Sequence, residues 1–248
     1  MRILFLALLL LTGAAHAAEP GLAPPPGARL PLDDVFQDET GRRMTAGQAL
    51  AGRPAVLVFA DWTCEALCGT TLGLAAMVLP KTGLRPGADY RLVAIGLDPR
   101  DGPHDAAAMK AAHLGGDPAS GEAAPFLSGD AGAVRSATAA MGFQAAYDRD
   151  RDQFAHPAAL LVLAPDGRLT QVLPGFGLEP GELRTALEAA AAGRGGSVLA
   201  RVLLICHQAL VPAGPGAWVL HALTGSSVAT ALALAGWLLL LRRREGRG

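Results

Sequence analysis

Cys64 and Cys68 stand four residues apart, directly behind a compact apolar run, Ala55–Ala60. If Cys68 opens a helix, the pair occupies its first turn and both sulfurs can face the same way. The free amide groups and the helix dipole at such a position favour thiolate over thiol. Glu65, an anion between the two, works against this. Two thiolates at this spacing suit a soft ion such as copper(I), or they can close a reversible disulfide. An inert structural disulfide is the third chemistry that the spacing allows. The remaining cysteine, Cys206, lies far along the chain beside His207, within the apolar stretch Val198–Val211. A Cys–His pair there is an auxiliary metal-handling site, or else a buried thiol or one half of an intermolecular bridge. Three cysteines in 248 residues do not describe a disulfide-stapled mini-protein; they describe a dedicated site.

The elements around the pair are legible from their periodicity. Ala55–Ala60 predicts a central strand buried on both faces, and Thr70–Leu79 a helix that Pro80 stops. Tyr90–Leu97 predicts a second buried strand, and about Asp105–Leu114 a second helix. After a Gly-rich loop over 115–124 come a short strand, Ala124–Leu127, and a helix, Gly132–Met141. The strand Ala158–Leu163 turns at Pro165-Asp166-Gly167 into Arg168–Leu173, and Glu179–Ala192 closes the domain as a helix. A short strand pair with Glu39-Thr40-Gly41 as its turn precedes all of this. Strands alternating with helices predict an α/β fold with helices on both faces of the sheet. A cysteine pair between the first central strand and its helix is the thioredoxin-like arrangement, here with an N-terminal strand pair added.

The two ends carry the apolar excess behind a mean hydropathy of +0.31. Arg2, the run Ile3–Leu11 and Ala15-His16-Ala17 predict a cleaved export signal over 1–17. Residues 18–31, with Pro20, Pro24, Pro25 and Pro26, read as a flexible leader ahead of a domain over 32–192. A linker and juxtamembrane segment over 193–216 follow. Between Ala217 and Leu241 the only ionisable residue is His221. As a helix this stretch would reach about 37 Å, enough to span an apolar core of about 30 Å. Arg242, Arg243, Arg244 and Arg247 in the tail over 242–248 mark the cytoplasmic side. The chain is therefore expected in the cell membrane, single-pass, with its main domain on the extracytoplasmic (periplasmic) side. A formal net charge of -1 without a long basic run leaves no footprint for nucleic acid.

The stretch Val58–Thr71, with its strand, C-x3-C and Thr-rich helix start, resembles the Sco/SenC family of copper proteins. Leu97-Asp98-Pro99-Arg100-Asp101-Gly102-Pro103 is similar to that family's Asp-Pro-x-x-Asp-Thr-Pro segment. Gln153–Ala158 places His156, 88 residues beyond Cys68, where the family has its metal-binding His. The resemblance covers residues 32–192. It implies that Cys64, Cys68 and His156 bind one copper ion, with Cys64 and Cys68 also forming a redox-active pair. It further implies a copper chaperone that assists assembly of the binuclear copper centre of cytochrome c oxidase. The partner would be the copper-bearing oxidase subunit or another copper chaperone. The alternative is a membrane-anchored thiol-disulfide oxidoreductase using Cys64 and Cys68 without metal, although such enzymes normally carry C-x2-C. A peroxiredoxin-like peroxidase, with one activated Cys, fits the paired cysteines less well.

This sequence departs from the family pattern around the ligands. Gly69 replaces a Pro after the second Cys, Glu65-Ala66 a Pro-Asp, Ala155 an acidic residue before the His, and Pro157 a small hydroxyl residue. Groups behind the ligands orient them and tune affinity, so these positions set what is particular to this chain. Asp98, at the end of a strand, either contacts the site or a partner, or is a solvated acid capping the next segment. His104 and His113 are expected on the surface, and His221 at the membrane interface.

Overall fold

Every residue of Ala55–Ala60 is buried, as its unbroken apolar run requires of a central strand. The computed structural model describes residues 20–64, 68–115 and 121–194. In chain order the elements are β1 (Gly21–Leu22), β2 (Val35–Gln37), β3 (Arg43–Thr45), α1 (Ala46–Leu50), β4 (Ala55–Ala60), α2 (Cys68–Val78), β5 (Arg91–Gly96), α3 (Pro103–Leu114), β6 (Phe126–Leu127), α4 (Ala131–Met141), β7 (Phe143–Gln144), β8 (Ala146–Asp148), β9 (Gln153–Ala155), β10 (Ala159–Leu163), β11 (Leu169–Pro174) and α5 (Pro180–Ala191). Five strands form the main sheet in the order β11-β10-β4-β5-β6. β4, β5 and β6 run parallel, whereas β10 is antiparallel to both β4 and β11.

Side chains alternate across a strand, and β4 divides two cores accordingly. Val56, Val58 and Ala60 face Leu72 and Ala75 of α2, Ala106 and Met109 of α3, and Leu183 and Leu187 of α5. Ala55, Leu57 and Phe59 face Ala49 and Leu50 of α1 and Ala137 and Met141 of α4. This is the mixed α/β architecture expected from the sequence, with helices on both faces of the sheet.

Several elements differ from expectation, each for a local reason. Thr45 caps α1, a helix that the sequence pattern did not predict. Its Oγ1 accepts from Gln48 N at 3.2 Å, while Gln48 Oε1 accepts from Thr45 N at 2.8 Å, the reciprocal capping box. α3 begins at Pro103 rather than near Asp105, because a proline is tolerated in a first turn where its missing N–H has no helical partner. The Pro-rich segment expected as a flexible leader is docked from residue 21 onward. β1 pairs with β7, and Leu30 and Ala28 are buried against the second core. The hairpin β8–β9, also unexpected, delivers the chain to His156.

Among the described residues no helix is long and apolar enough to cross a membrane. The expected export signal over 1–17, the membrane helix over 217–241, the tail over 242–248, His221 and the Cys206–His207 pair lie outside the described residues, as do all but the first two residues of the 193–216 linker.

Candidate metal centre

The parallel strands β4 and β5 end side by side, and the loops leaving them build the site, as open α/β sheets commonly arrange. Asp61, the first residue after β4, has no exposed surface. Its Oδ1 accepts from Thr63 N at 3.1 Å and Thr63 Oγ1 at 3.2 Å, and its Oδ2 accepts from Phe154 N at 2.7 Å. One carboxylate thus shapes the turn into Cys64 and holds β9 beside it. Burying a charge in this way is tolerable only because it is fully hydrogen-bonded.

Trp62 fixes the other side of the turn. Its Nε1 donates to Ser128 Oγ at 3.1 Å, and its ring stacks on Phe126 with centroids 5.3 Å apart. A Cβ on Gly96 would stand 2.5 Å from Trp62 Nε1, so the end of β5 must be glycine for the indole to fit.

Cys64 is disulfide-bonded, and its Sγ lies 3.6 Å from Gln153 Oε1 in β9. Cys68 is the first described residue of α2; its side chain and residues 65–67 lie outside the described residues. His156 follows β9 directly. Its Nδ1 is 3.1 Å from the Pro157 carbonyl oxygen. That oxygen can only accept, so Nδ1 carries the proton and Nε2 holds a free lone pair. Nε2 is buried and has no hydrogen-bond partner among the described residues. Burial holds the His156 pKa below the ordinary imidazole value. The Pro157 bond and the Asp61 charge oppose this only in part. A neutral ring with one nitrogen tied to a carbonyl and the other bare is the form in which histidine binds metal. Together with the Cys64 sulfur, this donor chemistry fits a soft or borderline ion such as copper.

Among the described residues no three His, Cys, Asp or Glu side chains surround a common metal position. The bridge between the Cys64 turn and the His156 segment is instead Asp61 and Gln153, neither of which was singled out in the sequence. Asp61 sits at the end of a buried strand, the position that raised Asp98 as a candidate, and that signal would have found it.

Asp98 is not solvated, but it does tie down the segment that follows, its Oδ1 accepting from Arg100 N at 2.8 Å. It is 3% exposed, and Arg100 Nε reaches both its oxygens, at 2.9 and 2.8 Å. Burial works to raise its pKa, but the hydrogen bonds of Arg100 outweigh that and lower it. Arg100 continues to Asp152 at 2.6 Å and lies 5.2 Å from the Tyr147 ring centroid. Tyr147 in turn donates to Asp152. This chain of contacts clamps the β8–β9 hairpin to the loop after β5. Asp101, by contrast, keeps a buried oxygen without a partner among the described residues. Burial and the neighbouring charges of Asp98, Asp61 and Asp105 raise its pKa to about 6.

His104 is exposed, as expected. His113 is not a free surface residue: its ring lies against Gly69 and Gly73 of α2, and burial lowers its pKa.

The family described as SCO1/SenC matches the chain over residues 33–192. Among solved structures, a protein of Aquifex aeolicus VF5 superposes with a TM-score of 0.61 at 23% identity, covering 69% of this chain and 96% of that one. ScoI of Bradyrhizobium japonicum, solved with copper bound, gives 0.52 at 22% identity over 67% and 99%. BsSco, described as having a disulfide switch and as a member of the Sco family of cytochrome c oxidase assembly proteins, gives 0.52 at 18% over 68% and 98%. These likenesses establish the shared fold. A comparison with curated proteins finds no match.

Proposed function

We propose, from the premise that the chain belongs to the SCO1/SenC family, that it is a copper chaperone binding one copper ion through Cys64, Cys68 and His156. In this reading it assists assembly of the binuclear copper centre of cytochrome c oxidase. It is exported and held in the cell membrane by its 217–241 segment, with the copper site on the extracytoplasmic side. The observation that carries the reading is the bare, buried Nε2 of His156, whose strand is pinned to the Cys64 turn by Asp61. Copper is the cargo. Two thiolates supply soft donors for copper(I), and the imidazole nitrogen lets the same site accept copper(II). Loading requires the disulfide at Cys64 to be opened first. An external dithiol supplies two electrons and is itself oxidised to a disulfide; its two protons pass to the new thiols, which release them to solvent when they become ligands.

Titration of the reduced full-length protein with copper(I), against a competing chelator, tests this. One tightly held equivalent, lost in His156→Ala, is expected; no tight binding by the reduced wild type rejects the chaperone reading.

The disulfide at Cys64 favours a second reading, a thiol-disulfide oxidoreductase with Cys64 and Cys68 as its couple. Disulfide reduction assays separate the two: turnover that His156→Ala leaves untouched, in a protein that holds no copper, selects the oxidoreductase.

A further inference from the structure

α2 and α3 pack face to face, and the cleft between them opens beside Cys64. Gly69, Gly73 and Met77 repeat every four residues on α2, so they share one face. Met109 and His113 share the facing side of α3 for the same reason. Together with Cys64 these residues line one cleft of about 450 Å³.

The imidazole of His113 is seated in a groove that only glycines leave open. A Cβ on Gly69 would stand 2.2 Å from its Nε2, and one on Gly73 would stand 3.1 Å from its Nδ1. Any side chain at position 69 would occupy this space; Gly69 leaves it open. Having been admitted, the ring makes no hydrogen bond among the described residues. Met77 is 58% exposed although it is a large apolar side chain. Neither feature serves packing, since an exposed thioether buries little area and a partly buried imidazole without a partner costs desolvation.

The geometry points to a second metal seat in this cleft, in which His113 and the thioethers of Met77 and Met109 hold a soft monovalent cation of the copper(I) class beside Cys64. One imidazole nitrogen and two thioether sulfurs are neutral, soft donors. Among the described residues no carboxylate lines the cleft, so hard divalent ions find no anionic oxygen among them to prefer. A seat without thiolates binds more weakly than a dithiolate site and remains usable while Cys64 is in its disulfide. It therefore suits a holding position from which the ion can pass to Cys64 after reduction. This transfer role rests on the proposed chaperone function; the binding itself does not.

The test uses full-length protein with Cys206→Ser, the disulfide at Cys64 intact, and methionine methyl groups labelled with carbon-13. Silver(I), a redox-inert stand-in for copper(I), is the probe. The methyl signals of Met77 and Met109 are expected to shift along one saturable curve. Those of Met44 and Met141, buried on the opposite face of the sheet, should stay in place. His113→Gln should weaken the apparent affinity at least tenfold, and His156→Ala should leave it unchanged. Still methyl signals for Met77 and Met109, or the same midpoint in His113→Gln, overturn the proposal. Should His113→Gln not fold, Met77→Leu at its exposed position takes its place, and an unchanged midpoint for Met109 in that variant overturns the proposal equally. Failure of the chaperone reading looks different: reduced protein then binds no tight copper, whatever the silver curve does.

Discussion

Two imidazoles stand on segments that meet the Cys64 turn, and they are held in opposite ways. His156 stands at the end of β9, which Asp61 grips through Phe154 N and the Arg100–Asp152–Tyr147 contacts brace from the far side. One of its nitrogens is committed to Pro157 and the other is bare. His113 stands on α3 and is held by shape alone, in a groove made by two glycines. The strand-borne ring is preorganised by hydrogen bonds, so its orientation costs little when a ligand arrives. The helix-borne ring lacks such ties among the described residues. The contrast fits a tight site on the sheet side and a looser one on the helix side.

The largest expected effect is on the preorganised side. If His156 is the ligand proposed above, His156→Ala should lower copper(I) affinity of the reduced protein by more than about 100-fold, since a ligand rather than its support is lost. Chelator competition measures this; a loss under tenfold would erase the distinction between the two rings. Asp61→Ala comes next. It leaves the amides of Thr63 and Phe154 without their acceptor, costing about 2–4 kcal/mol in denaturant unfolding. It should also weaken copper binding by about 10–100-fold, because the strand bearing His156 is no longer tied to the cysteine turn. Unchanged affinity in a folded Asp61→Ala protein would show that the two segments find each other without that carboxylate.

A smaller effect is expected at Asp101. Its folded pKa is raised to about 6 from an ordinary 3.8, so the folded state binds the proton more tightly than the unfolded chain. The ionised carboxylate therefore costs stability above pH 6, and the cost fades as pH falls toward 4. Asp101→Asn should raise the unfolding free energy at pH 7 by on the order of 1 kcal/mol after solvent screening, read as a higher melting temperature. The gain should vanish near pH 4; a pH-independent difference would refute the assignment. Smallest is Gly69→Ala. Its methyl displaces the His113 ring, at a cost that the better helix propensity of alanine, about 1 kcal/mol, largely offsets. Thermal stability should change by less than about 1 kcal/mol, and copper affinity at the His156 site should hold within about threefold, while the silver-induced shifts of Met77 and Met109 disappear. Equal losses at both sites would mean that the two rings are not independent.

These differences also explain what could be read in advance. The core strand β4, the cysteine spacing and the turn at Pro165-Asp166-Gly167 announce themselves through apolar runs and turn chemistry, which are local signals. The docked segment after residue 20 reads as flexible because its prolines dominate, whereas Leu30 and Ala28 find their partners only in the folded core. The hairpin β8–β9 has three-residue strands whose Tyr147 and Phe154 stay partly exposed, so no alternation marks it. His113 looks like a surface histidine until the register of α2 against α3 brings Gly69 and Gly73 beneath it. Asp61 becomes a structural bridge only because β9, over 90 residues later, comes back to it.

X-ray absorption on the reduced, copper(I)-loaded full-length protein tests the central claim most directly. Two sulfur donors and one imidazole nitrogen per copper are expected, with the nitrogen contribution lost in His156→Ala. A sulfur-only shell that His156→Ala does not alter would contradict it.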